Sequence, residues 1–159
     1  MKLYIKQKVF TIGDNFEVFD ENQNTVFKVN GDLFRMLSKF HLKDSNGNEI
    51  FTIERRFSFG YSYEIKTGGR TVAIIKKQMA FFNANFDIQA FTGDTFLADG
   101  NVFGWDFTIT KNGAPYATLS KKLLSWGDSY EIEVYDNAEL AFATAIVVAI
   151  DNCIHNENR

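Results

Sequence analysis

The sequence is poor in the residues that cross-link or break a chain. Its 159 residues include one cysteine, Cys153, and one proline, Pro115. A single cysteine excludes an internal disulfide and a zinc site built on cysteines, and it favours a reducing compartment. Scarce proline is typical of strands joined by tight turns, because proline cannot donate a hydrogen bond to a strand ladder.

A signal peptide, a strong charge and catalytic motifs are also missing. The first ten residues, MKLYIKQKVF, contain no apolar core of the signal-peptide kind, so we expect a cytoplasmic protein. A formal net charge of −3 provides no basic field to attract nucleic acid. The sequence lacks GxSxG, HExxH, GxGxxG and P-loop motifs, so we predict no cofactor, no metal and no enzymatic activity.

Aromatic residues are abundant, at 16% of the chain, and they recur with a period. An aromatic–polar–aliphatic triplet appears six times, with its aromatic member at spacings of 24, 23, 23, 21 and 23 residues. Such self-similarity indicates a repeated structural unit. The six triplets are Phe16-Glu17-Val18, Phe40-His41-Leu42, Tyr63-Glu64-Ile65, Phe86-Asp87-Ile88, Phe107-Thr108-Ile109 and Tyr130-Glu131-Ile132.

Each repeat has the pattern of a β-hairpin. In FSFGYSYEIKT (57–67), aromatic and polar residues alternate strictly, which predicts a half-buried strand. A turn rich in Asn, Gly or Asp follows every triplet, and a second apolar strand follows each of the first five turns. With the opening strand KLYIKQK, the sequence predicts twelve strands in an antiparallel meander, and parity places Trp105 and Trp126 on the inner face.

The last apolar segment predicts a helix, not a strand. Between Glu139 and Asp151 lie 11 uncharged, almost wholly apolar residues, which as a helix span roughly 16 Å, half of a bilayer core. We therefore expect no transmembrane segment but a helix buried on all sides. Twelve strands close into a cylinder of roughly 12 Å radius, which accommodates one thin helix. The predicted fold is a single mainly β domain over 1–159, a closed 12-stranded antiparallel barrel around a helix at about 138–152.

Two motifs and the terminal helix resemble a known family. KKLLSWGDSYEIEV (121–134), the helix end AIDNCIHN (149–156) and YIKQKVFTIGDNFEVFDENQ (4–23) are similar to the LURP-one-related family, in its short bacterial form. That family shares the Tubby C-terminal-like fold with Tubby proteins and phospholipid scramblases. The resemblance implies a 12-stranded barrel around a central helix. It also implies, from Tubby domains, binding of phosphoinositide head groups by surface Lys and Arg, whereas the metal-binding and palmitoylated segments of scramblases are not found here.

Basic pairs are the strongest candidate site. Each ends the second strand of a repeat, so a barrel places them towards one rim, with Lys6 and Lys8 in the comparable position. Such a rim could hold anionic phospholipid head groups. Solvated strand ends are the alternative, and neighbouring strand residues face opposite sides, so at most half of each pair joins one patch. The pairs are Arg55-Arg56, Lys76-Lys77 and Lys121-Lys122.

Other polar clusters have simpler interpretations. Asp14 and Asp128 occupy matching positions and could bind a cation, but they are typical of carboxylates that satisfy amides in a bend. Asp151 and His155 share a helix face, yet a third metal ligand is not evident, and His155 suits the negative helix end.

The sequence therefore predicts a non-enzymatic cytosolic binding or scaffold module that recognises anionic membrane lipids. Three alternatives remain open: an unidentified protein partner, self-association, and an enzyme with a rim site built from loops around a carboxylate or His41.

Overall fold

The computed structural model describes residues 1–6, 15–32, 37–58, 60–78, 83–101 and 105–157. Twelve strands form one closed antiparallel barrel, in which each strand pairs with its neighbours in the sequence and the first pairs with the last. The predicted fold is confirmed. The strands are β1 Lys2–Lys6, β2 Phe16–Phe19, β3 Thr25–Gly31, β4 Lys39–Asp44, β5 Glu49–Arg55, β6 Ser62–Thr67, β7 Arg70–Gln78, β8 Ala84–Ala90, β9 Thr95–Asn101, β10 Asp106–Lys111, β11 Ala114–Leu124 and β12 Gly127–Val134.

The six triplets all lie on the even-numbered strands, and they build the core. Every aromatic and every aliphatic member of a triplet is less than 7% exposed. Most of the polar members between them lie on the outer wall, half-buried or exposed. Because side chains alternate along a strand, the triplet places two apolar groups inside the barrel and one polar group outside it. The repeat in the sequence is therefore a repeat of wall segments.

The barrel has two chemically different ends. The turn rim carries the hairpins that follow the even-numbered strands, and in the first two of them an aspartate, Asp20 or Asp44, accepts hydrogen bonds from two backbone amides of its own turn. The other end, which we call the helix-end rim, is formed by the last residues of the odd-numbered strands. They are Lys6, Gly31, Arg55, Gln78, Asn101 and Leu124.

A helix fills the barrel lumen. A 3₁₀ turn at Asn137–Glu139 leads into α1, Leu140–Glu157. At the turn rim, Lys111 lies 3.3 Å from Glu139, and the Tyr116 hydroxyl donates to the same carboxylate over 3.1 Å. The segment 143–154 is buried at every position, with no exposed face, so the wall surrounds it.

Aromatic side chains of the wall contact the first turn of the helix. Near the turn rim, the Phe142 ring lies 5.9 Å from Phe51 and 5.3 Å from Phe96. By length and composition the stretch Asn137–His155 could cross a membrane. However, 67% of an 18-residue segment of it is buried inside the barrel, and core helices can have the same length and apolar composition. The burial favours the predicted core helix.

Two predictions of residue orientation are wrong, both where a glycine interrupts a strand. The strand predicted over 57–67 begins only at Ser62, because Gly60 adopts φ +85°, and Phe57 is 88% exposed. Trp126 belongs to the β11–β12 turn and packs edge-on against Tyr4 on the outer wall, at 5.6 Å. Alternation holds only while the backbone stays extended, so parity fails beyond such glycines.

Small residues on two neighbouring strands make room for large rings. Gly100 pairs with Ala84 on one side and with Phe107 on the other. The Phe107 ring is 1% exposed and lies 6.3 Å from the Phe86 ring. A Cβ added to Gly100 would collide with the Asp106 carbonyl oxygen and would lie 2.6 Å from the Phe107 ring, closer than carbon atoms approach. Only glycine fits this position without displacement of both the neighbouring backbone and the ring.

We predict that Gly100→Ala destabilises the protein by about 1–3 kcal/mol, because the added methyl group overpacks the wall beside Phe107. Chemical denaturation of the purified variant measures the loss. Thr108→Val, an exposed outer-wall position on the neighbouring strand, serves as the control and should change stability by less than about 0.5 kcal/mol. Equal stability of both variants would contradict this prediction and show that the Asp106 backbone and the Phe107 ring move aside at little cost.

Candidate functional site

The structure places all six predicted cations towards one end of the barrel. Odd-numbered strands run in the same direction, so the pairs at the ends of β5, β7 and β11 all lie at the helix-end rim. Lys6 lies at the same rim, whereas Lys8 falls outside the described residues. The predicted common rim is therefore confirmed for Arg55, Arg56, Lys76, Lys77, Lys121 and Lys122.

Each basic pair is split between the two faces of the wall. Arg55 pairs across the sheet with Tyr63, Lys77 with Phe86 and Lys121 with Tyr130, and these aromatic partners are core residues. The other cation of each pair has the opposite parity and lies on the outer wall. The outward cations are Arg56, Lys76 and Lys122.

The pairs form two groups around the rim. One strand, β6, separates β5 from β7, whereas β8, β9 and β10 separate β7 from β11. In a barrel of roughly 12 Å radius, this places Lys76 and Lys122 roughly 20 Å apart. A single phosphate therefore cannot contact both groups, although a flat surface laid across the rim can.

An ion-pair chain on the outer wall already occupies Arg56. Glu54 lies 2.8 Å from Lys39 and 2.8 Å from Lys66, and the hydrogen bonds from these ammonium groups lower its pKa to about 2. Lys66 lies 3.3 Å from Glu64, which Arg56 contacts at 2.9 Å. Arg56 therefore holds the sheet together more than it offers charge to a ligand.

Lys76 and Lys122 are the available outward cations. Both side chains are exposed, and neither forms an ion pair with a described residue. Lys121, next to Lys122, lies 4.0 Å from Asp128, which is itself half-exposed. The positive field of the β11–β12 hairpin is therefore weaker at Lys121 than at Lys122.

The inward cations lie at the rim where the helix ends. The guanidinium of Arg55 lies 4.6 Å from the centre of the Tyr61 ring, and the Lys77 backbone amide donates to the Tyr61 carbonyl over 3.0 Å. Because α1 ends at this rim, cations that face the barrel axis stabilise the negative end of the helix dipole. This structural interpretation suits Arg55, Lys77 and Lys121 better than a role in ligand binding.

A polar cluster lies where the helix ends. The Tyr63 hydroxyl donates to the Asn152 side chain over 2.8 Å, and the His155 ring lies 5.5 Å from Trp105. Nδ1 of His155 lies 3.1 Å from the Asp151 carbonyl oxygen and 3.2 Å from its carboxylate. Burial raises the pKa of Asp151 to about 6, against the lowering effect of His155. The predicted role of His155 at the negative helix end agrees with this geometry.

The residues considered as metal ligands do not converge. The described chain contains no group of three His, Cys, Asp or Glu side chains that could hold a metal. Cys153 is fully buried as a small core residue. Asp14 lies outside the described residues, and Asp128 is exposed, so their predicted match is not tested.

His41 has partners that the sequence did not suggest. On the outer wall, its ring nitrogens lie 2.9 Å from Asp32 and 2.6 Å from Glu49. Asp32 follows β3, His41 lies on β4 and Glu49 lies on β5. The arrangement cross-links the wall at β3, β4 and β5. Only the strand register, which brings these residues together, could have revealed it.

The sequence reasoning also missed two exposed apolar side chains. Phe57 is 88% exposed and Leu123 is 83% exposed, and both lie at the helix-end rim. Each directly follows a basic pair in the sequence, and this adjacency is a signal that could have been found. Lys6 differs from the basic pairs, because its ammonium lies 5.6 Å from the rings of Phe19 and Trp126 and is engaged by them.

Comparisons with known proteins agree with this architecture. A family model described as LURP-one-related matches residues 1–151. The chain is 32% identical to the uncharacterized protein YxjI of Bacillus subtilis, over 99% of this chain and 96% of that protein. It is 25% identical to protein LURP-one-related 15 of Arabidopsis thaliana, over 98% and 80%. An X-ray structure of an Arabidopsis thaliana protein superimposes with a TM-score of 0.69 at 21% identity, over 99% of this chain and 91% of that one.

We predict that Asp151→Asn stabilises the protein above about pH 6 by up to about 3 kcal/mol. A carboxyl whose folded pKa is raised to about 6 contributes most to stability when protonated, and this contribution is lost as the pH rises from about 4 through 6. The gain of the variant should therefore grow over that range and then level off.

Urea denaturation between about pH 4 and 8 measures this gain. Asp128→Asn removes an exposed carboxylate at the same rim and should show no such pH dependence. A loss of stability in Asp151→Asn above pH 6 would mean instead that the carboxylate is held ionised by its pairing with His155.

Proposed function

Because the chain belongs to the LURP-one-related family, we propose that it is a non-enzymatic cytosolic binding module whose helix-end rim captures anionic phospholipid head groups. The family accounts for the fold, and the names of the two relatives state neither a ligand nor a reaction. The proposal therefore rests on the chemistry of this chain's own rim.

One observation carries the proposal: Lys76 and Lys122 are exposed at the same end of the barrel, and within the described residues neither forms an ion pair. An exposed ammonium group near the end of a strand can bind phosphate oxygens without breaking an ion pair inside the protein. Their separation of roughly 20 Å suits a surface that presents many phosphates, because one small anion cannot reach both.

The interior supports a binding module over an enzyme. The lumen is filled by α1, whose side chains over 143–154 are buried, so the described residues leave no room for a ligand along the barrel axis. The carboxyl with the raised pKa, Asp151, is 7% exposed, which leaves little surface for contact with a substrate. The exposed side chains of this rim include the cations Lys76 and Lys122 and the apolar residues Phe57 and Leu123, which suit contact with a surface.

The expected affinity is modest and depends on salt. Each Lys or Arg near an anionic membrane contributes about 1 kcal/mol, and the field decays over a Debye length of about 8 Å at physiological salt. Because the net charge of the chain is −3, binding requires that the helix-end rim faces the membrane.

We predict that Lys76→Gln combined with Lys122→Gln weakens binding to anionic vesicles about 30-fold, which corresponds to about 2 kcal/mol. Co-sedimentation with phosphatidylcholine vesicles, with and without phosphatidylglycerol, measures the effect at near-physiological salt. Wild-type protein should bind only the anionic vesicles, and less at higher salt.

The matched control is Arg70→Gln combined with Lys43→Gln, which removes the same charge near the turn rim. This control should bind as the wild type does. If both double variants lose affinity equally, net charge and not the rim governs binding. If the wild type ignores anionic vesicles altogether, the proposal is wrong, and a protein partner becomes the better hypothesis.

A further inference from the structure

The two most exposed large apolar side chains of the described chain mark opposite sides of one rim. Phe57 follows Arg55 and Arg56 at the end of β5, and Leu123 follows Lys121 and Lys122 on β11. Single exposed apolar residues are ordinary on protein surfaces. Here, however, both directly follow a basic pair, and both lie at the end of the barrel where the pairs meet solvent.

Leu123 lies near the tip of the β11–β12 hairpin. It pairs with Asp128, whereas the last described residue of β1, Lys6, pairs with Ser129, closer to the barrel. On the other side, β10 begins at Asp106, and its pairing with β11 starts at Phe107 and Leu119. The tip therefore extends past the last described pairs of both neighbouring strands.

The two tips lie across the barrel from each other. Going around the wall from β5 to β11, five strands intervene in one direction and five in the other. Two exposed apolar side chains on opposite sides of a rim suit contact with a flat surface better than with a groove. The outward cations Lys76 and Lys122 lie near the same rim, between the tips or beside them.

Exposed apolar residues at the turn rim lack this setting. Phe91 is 67% exposed, and its turn contains Asp94. Tyr135 is 55% exposed and precedes Asp136. In the described part of the chain, an exposed apolar tip that directly follows a basic pair therefore occurs only at the helix-end rim. This combination matches the chemistry of an anionic bilayer, in which phosphates overlie an apolar layer.

We infer that the helix-end rim docks on an anionic bilayer with Phe57 and Leu123 inserted into the interface, so that the barrel axis stands along the membrane normal. This inference rests on the proposed function, and it adds an apolar contribution to the electrostatic one. Electrostatic attraction weakens with salt, whereas the burial of apolar side chains does not. Bound protein should therefore retain part of its affinity at high salt.

The protein carries its own reporters of this orientation. Both of its tryptophans lie at the helix-end rim: Trp126 is in the hairpin turn next to Leu123, and Trp105 contacts Tyr130 at 5.0 Å near the helix end. Bromine atoms on lipid acyl chains quench tryptophan that approaches the bilayer. A docked helix-end rim brings both fluorophores to the interface, whereas docking by the turn rim would keep them away.

The test compares Phe57→Ser combined with Leu123→Ser against Phe91→Ser, a control at the turn rim. The probe is vesicles of brominated phosphatidylcholine with phosphatidylglycerol. We expect the double variant to bind at least about tenfold more weakly, to lose the binding that persists at high salt, and to show less quenching. Phe91→Ser should behave as the wild type. Unchanged thermal unfolding of all variants shows that these exposed substitutions leave the fold intact.

The outcomes separate this inference from the proposed function. If the wild type does not bind anionic vesicles, the proposed function fails, and the inference fails with it. If the wild type binds, the lysine variants lose binding and the apolar variant does not, the rim is a purely electrostatic site and the inference alone is overturned. If the apolar substitutions abolish only self-association in sedimentation without vesicles, the tips contact a second copy, which also overturns it.

Discussion

Burial of an apolar helix inside its own barrel is the contact on which the rest of the structure depends. Twelve strands with an empty lumen would leave a ring of inward aromatic side chains without partners, and α1 without its wall would expose an apolar surface on every side. Each part therefore requires the other. The alanines at 143, 145 and 149 keep the helix thin enough for the inward aromatic residues, such as Phe86 and Phe107. In the wall, Gly100 has no side chain and so leaves space for the Phe107 ring.

Polar residues at the two ends of the helix also attach it to the barrel wall. At the turn rim, Glu139 holds Lys111 and Tyr116, whose pKa is raised by burial and then by that carboxylate. At the helix-end rim, Asn152 binds Tyr63, and Asp151 remains buried beside His155 with a raised pKa. Burial of the Asp151 carboxyl lowers the stability of the fold. The burial of the apolar residues over 143–154 offsets this cost.

The fold could be predicted from the sequence because it depends on alternation, which is local. Six triplets, the turns between them and the uncharged terminal helix identify the barrel without knowledge of any long-range contact. The common rim of the basic pairs followed from the same periodicity. The family resemblance was likewise confirmed. Alternation could not predict the side-chain directions where a strand stops. Phe57 lies three residues before Gly60 and Trp126 directly before Gly127, and the positive φ of these glycines ends the strand pattern. The ion pairs of Arg56 and His41 were hidden for another reason, because they join residues on different strands and depend on register.

The helix dipole provides a physical reason for cations at the rim where the helix ends. Its positive end lies at the turn rim, beside Asp136 and Glu139, and its negative end lies at the rim that carries Arg55, Lys77 and Lys121. The proposed docking would use this polarity, because near an anionic surface the rim with the basic pairs would turn towards the surface even though the net charge is −3. The outward cations and apolar tips would then meet the surface first. Recognition at the rim would follow from the same arrangement that holds the helix in place.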